Sequence, residues 1–224
     1  MNWPGRVAWV RPFANVIARS EIQFFPTVAS ELISEVAPIA GEQSELGAAV
    51  RRAQDGDVEA FAEVLKHCEQ RVFHFVLRML RNTHDAEDVT QDTFVKAWRH
   101  LGSFRPQNSF TTWLFTIARR TALNHIRARR STEELTERDE PSTTSPHEVA
   151  IDREHAESVW KIARRLKPDQ YEVLWLRYGE GFAVNETARI MNTNAIRVRV
   201  LLHRARKRMA DWLKQKSTDE RGAV

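Results

Sequence analysis

Between residues 44 and 80 apolar positions recur three and four apart. Phe61, Val64, Leu65, Cys68, Val72, Phe75, Val76 and Met79 form the clearest series, the pattern of a helix with one buried face. The stretch RNTHD ends it. A second helix is predicted from Asp85, where Asp85 and Asp88 have the spacing of a capping pair. Its inward positions are Ala86, Val89, Thr93 or Phe94, Ala97 and Leu101. Gly102 and Pro106 in GSFRPQNSF interrupt the pattern. A third helix is predicted over about 110–130, with Phe110, Trp113, Leu114, Ile117, Ala118 and Ala122 facing in.

The periodicity then stops. Residues 132–150 hold six acids, one arginine and two prolines, with too little apolar surface to offset the entropy of ordering, so they read as a flexible acidic linker. A second domain is predicted over 151–216. It opens with a helix near 150–166. Another starts at Pro168 in PDQYEVLWLRY and stops at GEG. A short helix near 185–191, the turn NTN and a long helix from 195 complete it, a helix-turn-helix spacing. Ile196, Val200, Leu201, Met209 and Leu213 are the expected inward set of that last helix. Strand-like alternation is scarce. The expected fold class is all-α: a helical bundle over 47–131 and a helix-turn-helix domain over 151–216. Residues 1–46 carry four prolines and aperiodic aromatics, which suits a weakly structured arm or a dispensable leader. Residues 217–224 form a tail.

Composition narrows the class. One cysteine, Cys68, rules out an intramolecular disulfide and suits a reducing cytosol. It falls on the apolar face of its helix. His67 and His74 beside it make a poor zinc pattern, so no metal or cofactor is expected. No apolar run approaches the ~20 residues of a membrane span, and the first residues lack a signal-peptide core. Without a phosphate loop, metal cluster or nucleophile motif, enzymatic activity is not expected. A cytoplasmic protein with no direct membrane insertion is.

Net charge is only +4; its distribution carries more. Asp85, Glu87, Asp88 and Asp92 crowd one helix start. The next forty residues, 93–132, hold eight Lys and Arg and no acid. Phe94, Trp98, Phe104, Phe110, Trp113 and Phe115 interleave with those cations, a combination suited to unstacked bases on single strands, although several of these rings also suit a core. The loop at 104–109 is the better candidate for a base pocket, with Arg105 flanking Gln107, Asn108 and Ser109. The helix 195–216 has eight cations against Asp211. Arg197, Arg199, His203, Arg204 and Arg206 are its candidate duplex contacts, because the start of a recognition helix enters the major groove and arginine pairs bidentately with guanine or phosphate. A solvated surface helix is the plainer account.

The motifs DAEDVTQDTFVKAWRHL, FTTWLFTIARRTALNHIRARR, LKPDQYEVLWLRYGEG and LLHRARKRM, in this order and spacing, resemble the extracytoplasmic-function (ECF) group of bacterial RNA polymerase sigma factors. The resemblance spans about 59–131 and 155–213. It implies that the acidic helix start, Asp85, Glu87, Asp88, Gln91 and Asp92, docks on a coiled coil of the core polymerase. The plainer account is that these acids favour a helix N-terminus, at roughly 0.3–1 kcal/mol each. It also implies that the 104–109 loop takes a flipped base of the melted non-template strand. Arg119, Arg120, Asn124 and Arg127 would then follow the minus-10 promoter DNA, and the last helix would bind the minus-35 duplex. The linker would thread toward the RNA exit path, or act as a plain tether. An anti-sigma partner is implied as well.

Departures from the family pattern fall in the second domain. Ala183 stands where a capping serine is usual, at a cost of roughly 0.5–2 kcal/mol unless another residue such as Asn185 caps. Thr187 replaces a common isoleucine. Asn192 replaces a common glycine and tolerates the left-handed conformation. The run Arg197, Val198, Arg199, Val200, Leu201 replaces a more polar one and leaves the minus-35 sequence open. Two alternatives remain: a stand-alone helix-turn-helix regulator, and a divergent protein that docks on polymerase without reading promoters.

Overall fold

The computed structural model describes residues 40–133 and 160–222, with side chains over 45–129 and 160–213. Among the described residues every regular element is helical. The arm before residue 40, the acidic linker and the first part of the helix expected at 150–166 lie outside them.

The first domain is a bundle of α1 (Ala40–Gln54), α2 (Val58–Leu80), α3 (Thr83–His100) and α4 (Phe110–Glu133). A single 3-10 turn, Leu101–Ser103, follows α3. α1 begins at Ala40, so the helical part reaches further into the expected arm than its sequence pattern indicates. α2 packs against α1, α3 and α4, and α3 packs against α4. The buried face of α2 is Ala60, Phe61, Val64, Cys68, Val72, Phe75 and Val76, close to the predicted set. Each fully buried large apolar side chain there contributes about 1.5–3 kcal/mol. Phe75 meets Phe115 of α4 with ring centroids 5.1 Å apart. On α3, Ala86, Val89, Thr90, Thr93, Phe94 and Ala97 are buried. Thr93 Oγ1 donates to the Val89 carbonyl at 2.7 Å, which lets it sit inside the bundle.

Four of the helix starts share one device. Asp57 accepts from the Ala60 amide at 3.0 Å, Asn82 from Asp85 at 3.1 Å, Ser109 from Thr112 at 3.2 Å and Asn194 from Arg197 at 2.8 Å. Each side chain satisfies an orphan donor of the first turn. Asp85 is therefore not the cap of α3. Asn82 is, and the helix starts at Thr83. The asparagine precedes the acid-rich run, and the chain needs only one cap.

In the second domain residues 160–163 are helical and α5 is Pro168–Leu174. α5 runs into one turn of π-helix, Trp175–Gly179. There the Trp175 ring lies over Gly179, where a Cβ would come within 2.7 Å of it. The indole N–H donates to Glu180 at 3.1 Å. Gly181, at φ 78°, turns the chain out. α6 is Val184–Ile190 and α7 is Ala195–Gly222. Glu186 accepts from the Ala183 amide at 2.9 Å. That is half of a capping box, made from the acid side alone because Ala183 has no oxygen to return. Asn185 does not take over as cap, and the helix starts before it. Asn192 has φ 51°, and the Asn192 and Thr193 amides donate to the Arg189 and Ala188 carbonyls at 3.1 and 2.9 Å. This closes α6 in the left-handed manner expected of Asn192.

α7 packs on α5. Its buried positions are Val198, Leu201, Leu202, Ala205 and Met209. Leu201 and Met209 are as predicted and Leu213 is half-buried, but Ile196 and Val200 are exposed, 71% and 41%. The inward stripe runs 198, 202, 205, 209 instead, at the same three-and-four spacing.

Candidate nucleic-acid interface

The face of α3 away from the bundle carries Glu87, Asp88, Gln91 and Asp92, all exposed. Asp88 and Asp92, with side chains 63% and 67% exposed, pair one turn away with His84 at 3.3 Å and Lys96 at 3.8 Å. The same stripe continues into Val95 and Trp98, both exposed. Trp98 leans on Phe61, ring centroids 4.9 Å apart. Asp85 differs. Its side chain, 22% exposed, turns toward α4, 3.1 Å from Arg129 and 3.5 Å from His125. Lys96 also reaches α4, donating to Thr121 at 3.4 Å. The acidic helix and the basic helix are thus joined at two places, by the carboxylate of Asp85 and by the hydrogen bond from Lys96 to Thr121.

The loop before α4 is anchored from a distance. The Gln54 side-chain amide donates to the Leu101 carbonyl at 3.0 Å and to the Phe104 carbonyl at 2.8 Å. The Asn108 amide bonds the Arg105 carbonyl at 2.9 Å, making a tight turn. Under it Phe104, Phe110 and Trp113 form a cluster with centroids 5.4–5.5 Å apart. Phe104 and Phe110 are buried, so they form the floor of the loop rather than its open surface. Arg105, Gln107 and Asn108 are exposed on top. Ser109 is half-buried, and its oxygen is occupied in capping Thr112 and contacting Thr111 at 3.0 Å. A hydrogen-bonded polar loop on an aromatic floor has the makings of a seat for one unstacked base. Along α4, Arg120, Asn124 and Arg127 share an exposed stripe at three-and-four spacing, and Arg119 is half-buried beside it. Gln54 and Lys96 left no signal in the sequence, because their partners lie far along the chain.

On α7, Arg197, Arg199, His203 and Arg204 are exposed. Arg206 is half-buried and donates to the Tyr178 hydroxyl at 3.4 Å, which ties it to the end of the π turn. Among the described residues no cluster of His, Cys, Asp or Glu could hold a metal ion, and no helix is long and apolar enough to cross a membrane.

Residues 64–132 match the family model for sigma-70 region 2, and residues 156–209 match that for sigma-70 region 4. The chain is 32% identical over 170 residues to the ECF RNA polymerase sigma factor BldN of Streptomyces coelicolor, covering 73% of this chain and 64% of that protein. It is also 32% identical over 169 residues to the RNA polymerase sigma-H factor of Pseudomonas aeruginosa, covering 70% of this chain and 88% of that one. Among solved structures, the sigma factor RpoE of Bartonella quintana, in complex with the anti-sigma factor NepR, superposes with a TM-score of 0.60 at 25% identity, over 70% of this chain and 98% of that one. The chain belongs to the sigma-70 family of RNA polymerase sigma factors, in its ECF group.

Proposed function

We propose that this chain binds bacterial core RNA polymerase and directs promoter-specific transcription initiation, with the two faces of its first domain assigned to different partners. The exposed stripe of Glu87, Asp88, Gln91 and Asp92 meets a basic polymerase surface, while Asp85 holds that helix to α4. Arg105, Gln107 and Asn108 receive a base of the melted minus-10 strand, and Ser109 sets the helix start beneath them. Arg119, Arg120, Asn124 and Arg127 follow the adjacent DNA. Arg197, Arg199, His203 and Arg204 grip the minus-35 duplex, with Arg206 held by Tyr178 at the edge of that surface. The observation that carries this reading is the pairing of Asp85 with Arg129. It fixes an acidic helix and a basic helix side by side, each with its own exposed stripe.

The division into region 2 over 47–131, an acidic linker over 132–150 and region 4 over 151–216 follows the same assignment. The chain makes and breaks no bonds itself; that chemistry belongs to the polymerase, and the chain needs no cofactor. It works in the cytoplasm. The anti-sigma complex of the Bartonella relative supports control by a partner of that kind, which holds the chain inactive. Equilibrium binding of the labelled chain to purified core polymerase tests the first step. Saturable binding, weakened at least tenfold by charge reversal at Asp88 and Asp92, is expected. No binding at micromolar concentrations contradicts the proposal.

A further inference from the structure

Ile196 stands in the first turn of α7 and is 71% exposed; Val200, one turn on, is 41% exposed. Neither fills the core, whose α7 positions are Val198, Leu201, Leu202, Ala205 and Met209. Exposed aliphatic side chains are ordinary when scattered. These two are not scattered. They stand four residues apart on one stripe, and that stripe runs on to His203. Around them Arg197, Arg199 and Arg204 are exposed, and no acid lies between residues 187 and 210. An apolar strip flanked by exposed arginines does not suit a basic or a purely apolar partner. It suits the major groove, where phosphates flank base edges and the thymine C5-methyl is the one apolar group presented. The helix start also favours this. Asn194 caps α7 through the Arg197 amide at 2.8 Å, which fixes the first turn, the part of a recognition helix that reaches base edges.

Resting on the assignment of α7 to the minus-35 duplex, we infer that Ile196 and Val200 are specificity residues that read thymine methyl groups. Four residues of helix advance ~6 Å, against ~3.4 Å per base pair along one strand. The two side chains therefore address methyls about two base-pair steps apart. The arginines supply attachment and guanine contacts, and the aliphatic pair supplies discrimination for thymine over cytosine.

The test uses the full chain with core polymerase and a pool of promoter fragments randomised upstream of the start site. Fragments enriched by open-complex formation are remade with each upstream thymine replaced by deoxyuridine, which removes the methyl and nothing else. The inference expects thymines about two steps apart in the enriched element. Each deoxyuridine change there should lower wild-type complex formation about three- to tenfold, the scale of one buried methyl group. Ile196→Ala and Val200→Ala, each at an exposed position and each melting as the wild type does, should lose sensitivity to one of the two changes and keep the other. An enriched upstream element whose deoxyuridine forms bind unchanged, or bind equally worse to wild type and both variants, overturns the inference while leaving the minus-35 assignment intact. Initiation with no upstream element enriched overturns that assignment as well. Loss of core polymerase binding by the two variants without DNA makes the strip a protein contact, and overturns the inference too.

Discussion

The side-chain amide of Gln54 donates to the carbonyl of Phe104 across 2.8 Å of space and fifty residues of chain. Its second hydrogen goes to the Leu101 carbonyl. Both donors are spent on the backbone where the loop before α4 begins. Gln54→Ala leaves two carbonyls without this donor, so a loss of about 1–2 kcal/mol is expected in chemical denaturation. The functional loss should exceed the structural one. Promoter opening, followed by permanganate reactivity of unpaired thymines, should fall several-fold while binding to core polymerase persists. Normal opening by the variant would show that the loop does not need the anchor.

The carboxylates on α3 divide by their surroundings. Asp88 and Asp92 project into solvent and, among the described residues, pair with His84 and Lys96 one turn away; exposed pairs of that kind contribute little to stability. Charge reversal at both positions should weaken core polymerase binding at least tenfold and leave the melting temperature within a degree or two of wild type. Asp85→Asn should do the opposite, lowering stability slightly through lost contacts to His125 and Arg129 while the exposed acidic stripe stays intact and polymerase binding persists. Equal effects of the two changes on polymerase binding would break the distinction.

Two substitutions at helix starts should move stability in opposite directions. Asn194→Ala removes the cap of α7 and should cost about 1 kcal/mol. Ala183→Ser supplies the missing half of the capping box, whose other half Glu186 already makes, and should raise stability by about 0.5–1 kcal/mol. Thermal denaturation reads both. A destabilised Ala183→Ser protein would mean that the chain enters α6 in a geometry no serine can use.

Arg199 and Arg204 are assigned to phosphate and base contacts. Arg199→Ala and Arg204→Ala should each weaken promoter binding and reduce the slope of log affinity against log salt by about one. A variant with reduced affinity and an unchanged slope has lost something other than a phosphate contact.

Much of this was legible in the chain. The spacing of Phe61, Val64, Cys68, Val72, Phe75 and Val76 identifies the face that α2 buries, because one helical phase fits all of them. The left-handed turn at Asn192 follows from its side chain. The phase of α7 did not follow. Ile196 with Val200 and Val198 with Leu202 are both apolar pairs one turn apart, and the arginines between them fit either choice. Packing against α5 decides between them. The start of α3 was misplaced for a related reason: Asn82 and Asp85 are both good caps three residues apart, and only the path of the preceding turn selects one. Gln54, Lys96 and the tie of Arg206 to Tyr178 are contacts between distant residues, which no local spacing encodes.

The central claim is that this chain confers promoter choice on a polymerase that lacks it. Run-off transcription with purified core polymerase, the full chain and fragmented DNA from its own source, with transcript ends sequenced, tests it most directly. The account predicts discrete starts, absent without the chain, that share sequence elements near minus 10 and minus 35. Polymerase that binds the chain and still starts nowhere in particular would contradict it.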